Sequence, residues 1–194
     1  FTVPQVQDAF TAIADGTLPG IAALIDYQAQ RSPDRRRTLA MRTRRIKKSG
    51  EIGVSGVGVG NHVVGGHLPN LMASRGVVSR ALVSATGKNA AMVAKGLGAA
   101  LVSTDVETAT ADPETDALMI CSSHAEHFEQ NCRGLESGKA LFVEKPLVTR
   151  KEHFRELLRR MEGSDALLTL GLNRRYAPLV KTLRENLPGS VDCV

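Results

Sequence analysis

The stretch Ile52-Gly-Val-Ser-Gly-Val57-Gly58-Val-Gly60-Asn61-His62-Val63 decides how this chain is to be read. Its apolar start predicts a strand over 52–57, and its glycines predict a sharp turn. Beyond the turn, Val63, Val64, His67, Leu68, Leu71 and Met72 fall on one side of a helix. Seven of the 18 glycines lie between Gly50 and Gly66. A phosphate-binding turn needs such residues, because the backbone must bend tightly, approach the phosphates closely and present N–H groups at a helix start. The best register is Gly58-Val-Gly60-Asn61-His62-Val63, in which Val63 stands where a strict third glycine would be. Alone, such a pattern also fits any glycine-tolerant turn; the strand before it and the amphipathic helix after it favour phosphate binding.

Downstream the pattern repeats. Strands are predicted over 80–85, 100–102, 116–121, 140–143 and 167–170, with helices at about 89–97, 125–135 and 176–187. Thr149-Arg-Lys-Glu152 spells a capping box that opens a further helix carrying Phe154, Leu157, Leu158 and Met161. Short, continuously apolar strands alternating with amphipathic helices define an α/β class: a doubly wound parallel sheet of the Rossmann type, which binds ligands at the carboxyl ends of its strands.

Upstream the character changes. Residues 1–28 read as a helix from Pro4 to about Ala14, with Ala9, Phe10 and Ile13 on one face, then Gly16 and a strand around 21–25. One helix and one strand cannot bury a core by themselves. Residues 29–49 read as a linker or a surface helix. Nine basic residues lie between Arg31 and Lys48 against Asp34 alone, so that this window carries +8 of a chain whose net charge is +5, leaving −3 elsewhere. The basicity belongs to a segment. A nucleic-acid arm there would lack aromatics for stacking, and a solvated joint is the commoner use of such a run.

Length and composition narrow the rest. A chain of 194 residues, 42% hydrophobic and 23% charged, has enough material for a sizeable core and is neither disordered throughout, nor collagen, nor a disulfide scaffold. Its longest apolar runs, 117–121 and 140–143, fall far short of the ~20 residues a membrane helix needs. No secretory signal precedes the first element, and the lack of an initiator Met suggests a piece of a longer protein. Three cysteines, Cys121, Cys132 and Cys193, show no metal-type spacing and suggest reduced thiols in a cytoplasmic protein; Cys121 reads as core rather than nucleophile. No metal site is expected.

Two further features carry chemistry. The second strand of the repeat ends Val83-Ser-Ala-Thr86-Gly87-Lys88-Asn89, without the acid that a fold selective for NAD places on the ribose. Either NAD or NADP is admitted, with a lean to NADP, since no carboxylate repels a 2′-phosphate and Lys88 could pair with one. Glu144-Lys145-Pro146 closes another strand, where a lysine can hydrogen-bond a substrate hydroxyl and move its proton as hydride leaves carbon.

Together the turn Gly58–Val63, His67-Leu-Pro69, Ser122-Ser123-His124 with His127, Glu144-Lys145-Pro146 and Gly171-Leu-Asn173-Arg174-Arg175-Tyr176-Ala-Pro178 resemble, over about 50–188, the nucleotide-binding domain of the glucose–fructose oxidoreductase / inositol dehydrogenase / MocA family. The resemblance implies that Gly58, Gly60, Asn61 and His62 lie along the dinucleotide phosphates. Thr86 and Lys88, at the strand end just read, are the candidates for the ribose, with a solvated Lys88 at a helix start as the alternative. It puts Ser122, Ser123 and His124 where the family has Thr-Pro-Asn beside the cofactor, Ser123 departing from the proline. His127 would be structural or cofactor-adjacent, Glu144 would contact the nicotinamide end, and Lys145 would be the catalytic lysine. Asn173 and Arg175 match an Asn-x-Arg run lining the same cleft, and Lys145–Pro146 is a candidate cis peptide. The implied activity of the intact enzyme is hydride transfer between NAD(P) and a sugar- or cyclitol-like hydroxyl or carbonyl. Family members commonly associate through the sheet of a second, substrate-holding domain, which would begin near residue 189, so a homo-oligomer is an option and this piece alone is expected to turn over little. The alternative from another class is a Rossmann-like regulatory or interaction module without catalysis, against which the intact Glu144-Lys145-Pro146 argues.

Residues 1–28, with Phe1-Thr-Val-Pro-Gln-Val-Gln-Asp-Ala-Phe10, Gly16 and Gly20-Ile-Ala-Ala-Leu-Ile-Asp-Tyr27, are similar to the carboxyl end of zinc-dependent medium-chain alcohol dehydrogenases. That resemblance implies a two-enzyme chain joined by the basic stretch, with none of the zinc ligands in this portion.

Overall fold

In the computed structural model, residues 1–18, 20, 22–26, 37–42 and 44–187 are described; the Met72 side chain is outside the described residues. So are Ile21, residues 27–36 of the tail and basic stretch, and 188–194, where the second domain and Cys193 were placed by the sequence. The chain divides into two compact units, Phe1–Arg35 and Arg36–Val194.

In the first unit a short 3-10 turn, Val3–Gln5, leads into α1, Val6–Ala14. Thr2 and Gln5 cap it reciprocally, with the Thr2 N–H and hydroxyl both donating to Gln5 Oε1 at 2.9 and 3.0 Å. The predicted face is only partly formed: Ala9 is buried, while Phe10 and Ile13 are 64% and 52% exposed. Residues 22–25 form no strand, and Asp26 makes a single parallel bridge to Thr2. A lone ladder contact cannot hold a strand, so the segment is tied instead by Asp26 N–H to Phe1 O at 2.7 Å.

The second unit is a seven-stranded sheet: β1 Thr38–Ala40, β2 Ile52–Val57, β3 Val77–Val83, β4 Leu101–Ser103, β5 Ala117–Ile120, β6 Ala140–Glu144 and β7 Leu168–Gly171. The spatial order is β1-β4-β3-β2-β5-β6-β7, parallel except that β1 runs against β4. The doubly wound parallel sheet read from the sequence is therefore the fold. Its helices are α2 Leu68–Ala73, α3 Lys88–Leu97, α4 Glu107–Thr110, α5 His127–Glu136, α6 Lys151–Glu162 and α7 Pro178–Asn186. Successive strand residues point to opposite faces and build two cores. Val57, Ala81, Val83, Ile120 and Val143 pack with Cys132 and Leu135 of α5 and Leu157 of α6. Val54, Leu82, Val102 and Met119 pack on the other face with Leu68 of α2 and Ala90 and Ala94 of α3.

Four local expectations are corrected. The basic stretch contains β1, which sequence reading missed because three exposed residues carry no alternation; it is held by the ladder to β4 and by the Thr38 hydroxyl, 2.9 Å from both Ser103 and Thr108 hydroxyls. The second strand of the repeat begins at Val77, not at 80, because it pairs with β2 from Ile52 onward, with one register shift between Val54 and Gly56. The short helix α4 between β4 and β5 has too few residues to show a period. Finally, the capping box at Thr149 is not used: the helix starts one residue later, with Arg150 as N-cap and no side-chain cap.

Candidate dinucleotide cleft and its catalytic rim

The sheet reverses its winding between β2 and β5, and a doubly wound sheet opens a crevice at such a point. A cleft of about 380 Å³ lies there, lined among others by Gly58 and Gly60 after β2, Thr86 after β3, Thr104 after β4, and Ser122 and Ser123 after β5. Gly58 has φ +81°, and a Cβ on it would stand 2.3 Å from the Ser122 backbone. No side chain fits there, so the two loops meet backbone to backbone. The Gly58 and Val59 N–H groups both donate to Val83 O at 2.9 Å, which ties the turn to β3. Asn61 and His62 open the helical segment that follows and are exposed; the first N–H groups of a helix have no partner inside it and suit an anion.

The β5 loop is braced from below. The Ser123 N–H and hydroxyl donate to Glu126 Oε2 at 3.2 and 2.7 Å, and the Ser122 hydroxyl donates to Gln130 Oε1 at 2.6 Å. Those bonds supply at Ser123 the restraint a proline would give. His127 is fully buried, with Nδ1 2.6 Å from Pro146 O and Nε2 3.2 Å from Ser122 O. Asn131 Nδ2 donates to Leu147 O at 3.0 Å. His127 thus clamps the cleft loop to the β6 loop, a structural place rather than a catalytic one.

At the end of β6, Glu144 is buried while Lys145 is exposed, and Lys145–Pro146 is cis. Glu144 Oε2 accepts the Lys145 N–H at 3.1 Å, and Oε1 lies 2.7 Å from His67 Nε2 and 3.9 Å from His62 Nε2. Glu144 pairs in register with Gly171 of β7, where a Cβ would come 3.2 Å from Oε1, so a bare residue leaves that oxygen room. Asn173 and Arg175 sit exposed on the 3-10 turn Asn173–Tyr176 just past Gly171.

The sequence-predicted residues therefore do not all fall together. Gly58, Gly60, Thr86, Ser122 and Ser123 line the cleft. His62, Glu144, Lys145 and Pro146 stand with His67 at the end of β6, and Asn173 and Arg175 follow the neighbouring strand. Lys88 is exposed at the first position of α3, beside the cleft-lining Asn89, and His124 is exposed on the turn before α5 with its ring 5.9 Å from that of His127. Sequence reading missed Gln130 and Glu126 as braces, although Ser123–Glu126 has the i, i+3 spacing that would announce them. It read His67 as part of a helix face and of the His67-Leu-Pro69 motif but did not pair it with His62, since five residues apart is not a helical repeat. Cys121 lines the cleft, and burial first, then the Glu144 charge, push its thiol up to about 12. It is a packing residue, as read from the sequence. Among the described residues no helix is long and apolar enough to cross a membrane.

Comparison with known proteins gives a consistent picture. The inositol 2-dehydrogenase of Rhizobium meliloti (strain 1021) is 31% identical over 80 residues, 41% of this chain and 24% of that protein. GenD2 from gentamicin A biosynthesis, solved in complex with NAD, superposes with a TM-score of 0.65 and 29% identity over 70% of this chain and 38% of its own. KijD10, a 3-ketoreductase from Actinomadura kijaniata solved with NADP, has a TM-score of 0.64 over 70% of this chain and 43% of its own, and at 21% identity shows the fold alone. The chain spans about a quarter to a third of the length of the curated relatives it matches. Residues 51–172, more than half of the chain, match the oxidoreductase family with an NAD-binding Rossmann fold known as GFO_IDH_MocA. The chain belongs to that family.

Proposed function

We propose that residues 50–188 are the dinucleotide-binding domain of an enzyme that moves a hydride between NAD(P) and a sugar- or cyclitol-like hydroxyl or carbonyl. One observation carries the reading: the bare Gly58 turn lies against the Ser122 backbone at the point where the sheet reverses, an approach that a Cβ would block, and both line the cleft there. The family and the inositol dehydrogenase relative support it. At the β3 end the cleft is lined by Ser84, Ala85, Thr86 and Asn89, none of them an acid, which favours NADP over NAD. The dinucleotide, when bound, supplies the hydride donor or acceptor. Lys145, exposed at the end of β6, holds the substrate oxygen and takes its proton in oxidation or returns it in reduction. Glu144 is buried beside it and orients the nicotinamide end. We further infer that residues 1–28 are the end of a medium-chain dehydrogenase, joined through 29–49, which agrees with the separate compactness of Phe1–Arg35.

Lys145→Ala in the intact enzyme carrying this domain separates chemistry from binding. Turnover falls by about 10²–10⁴, while dinucleotide affinity stays within about twofold. Turnover that survives the change would remove Lys145 from the mechanism.

A further inference from the structure

We infer that His62, His67 and Glu144 form a binding site for a divalent transition-metal ion of the zinc type. Among the described residues this is a group whose ligand atoms all lie within 4.8 Å of one another. The backbone explains why. Residues 63–67 form a π turn, in which the Leu68 N–H donates to Val63 O, five residues back. In an α-helix, side chains five apart diverge; across a π turn they stand one above the other, and the His62 and His67 rings meet edge to face at 5.2 Å. Pro69, lacking an N–H and crowding the carbonyl four residues before it, favours the widened turn just ahead.

The third ligand comes from β6. Glu144 Oε1 lies 2.7 Å from His67 Nε2 and 3.9 Å from His62 Nε2. Zinc bonds of about 2.0–2.2 Å at a tetrahedral angle put ligand atoms about 3.4 Å apart, so the two separations bracket what a bound ion requires. Two imidazoles and one carboxylate are a set that zinc takes with a fourth position open to water. Outer restraints are in place: Glu144 Oε2 accepts the Lys145 N–H at 3.1 Å, and the His67 ring packs edge-on against Phe142 at 5.6 Å. The His62 side chain is 72% exposed, which gives the ion a way in. All three ligands belong to the protein, but Glu144 is also the residue proposed to orient the nicotinamide end, so the ion is tested in the absence of dinucleotide.

The test is calorimetric titration of the whole 194-residue chain with Zn²⁺ under reducing conditions, repeated with Co²⁺ to read its visible absorption. One ion per chain is expected, with cobalt bands of a nitrogen–oxygen site and no thiolate-to-metal band. His62→Ala and His67→Ala are each expected to weaken binding by roughly tenfold or more while circular dichroism without metal is unchanged; the exposed His62 keeps the test meaningful should His67→Ala misfold. No binding, a thiolate spectrum, or equal affinity in the His62 variant would overturn the inference.

Discussion

Gly58 bears a double constraint, a φ of +81° and a Cβ position 2.3 Å from the Ser122 backbone. A methyl group there must move one of the two loops that make the cleft. Gly58→Ala is therefore expected to lower stability by roughly 1–3 kcal/mol and to reduce dinucleotide affinity at least as much, read by thermal melting and calorimetry on the same protein; a variant that melts and binds like the parent would mean that the loops do not meet there. Cys121 makes the opposite kind of prediction. With its thiol pushed up to about 12 from an ordinary 9.0, its thiolate is roughly a thousandfold scarcer near neutral pH, so alkylation of the Cys121 peptide at pH 8 should lag far behind that of a free thiol. Rapid labelling in the folded chain would show that the strand end opens. At this scale the sequence was informative where backbone geometry demands one residue type: Gly58 stands out because few others fit. The meeting of His67 with His62 and Glu144 did not show, because it is made by a turn that no repeat in the sequence announces.

At the scale of elements, strands whose both faces are buried, such as β3 and β5, were legible as apolar runs, whereas β1 and α4 were not. β1 exists because β4 offers an edge, and nothing in Thr38-Leu-Ala40 itself demands a strand. Thr149 shows the converse, a correct spelling that the structure does not use. The elements are also joined by charge. Arg80 of β3 and Asp112, both buried, pair with Nε–Oδ2 at 3.0 Å, and Arg80 reaches Glu114 as well. Burial, the largest influence on Asp112, works to raise its pKa, but the Arg80 hydrogen bond, the Glu114 N–H, the Thr115 hydroxyl and the Arg80 charge together hold it below the ordinary 3.8. A carboxyl depressed in the folded state stabilises the protein above its unfolded value and loses that contribution as pH falls through the folded one. Asp112→Asn should therefore cost stability at pH 7, with the gap to the parent closing below about pH 4. Arg80→Met, which strands a buried carboxylate, should cost about 3–5 kcal/mol. Denaturant melts at pH 7 and pH 3 check both; a gap that does not change with pH would assign the pair no role in acid stability.

Taken as a molecule, the chain carries two units of unequal content, Phe1–Arg35 with α1 among its described residues and Arg36–Val194 with the sheet. The sequence showed that a short tail precedes a doubly wound fold, but it drew the fold's beginning at 50, because the basic charge of the stretch before it masks its role as structure. Lys47 pairs with Asp116 at 2.5 Å, and the Met41 and Arg45 N–H groups donate to Ala100 O and Gly98 O at 2.8 and 2.9 Å. A chain beginning at residue 37 should thus keep the sheet's unfolding midpoint, and one beginning at residue 50 should melt lower; equal midpoints would mean that β1 is ornament to the fold. The central claim is that the cleft at the sheet's reversal holds a nicotinamide dinucleotide. Calorimetric titration of the folded 194-residue chain with NADPH and with NADH tests it most directly. One site per chain is predicted, tighter for NADPH than for NADH, and a folded sample that gives no binding heat with either would contradict the account.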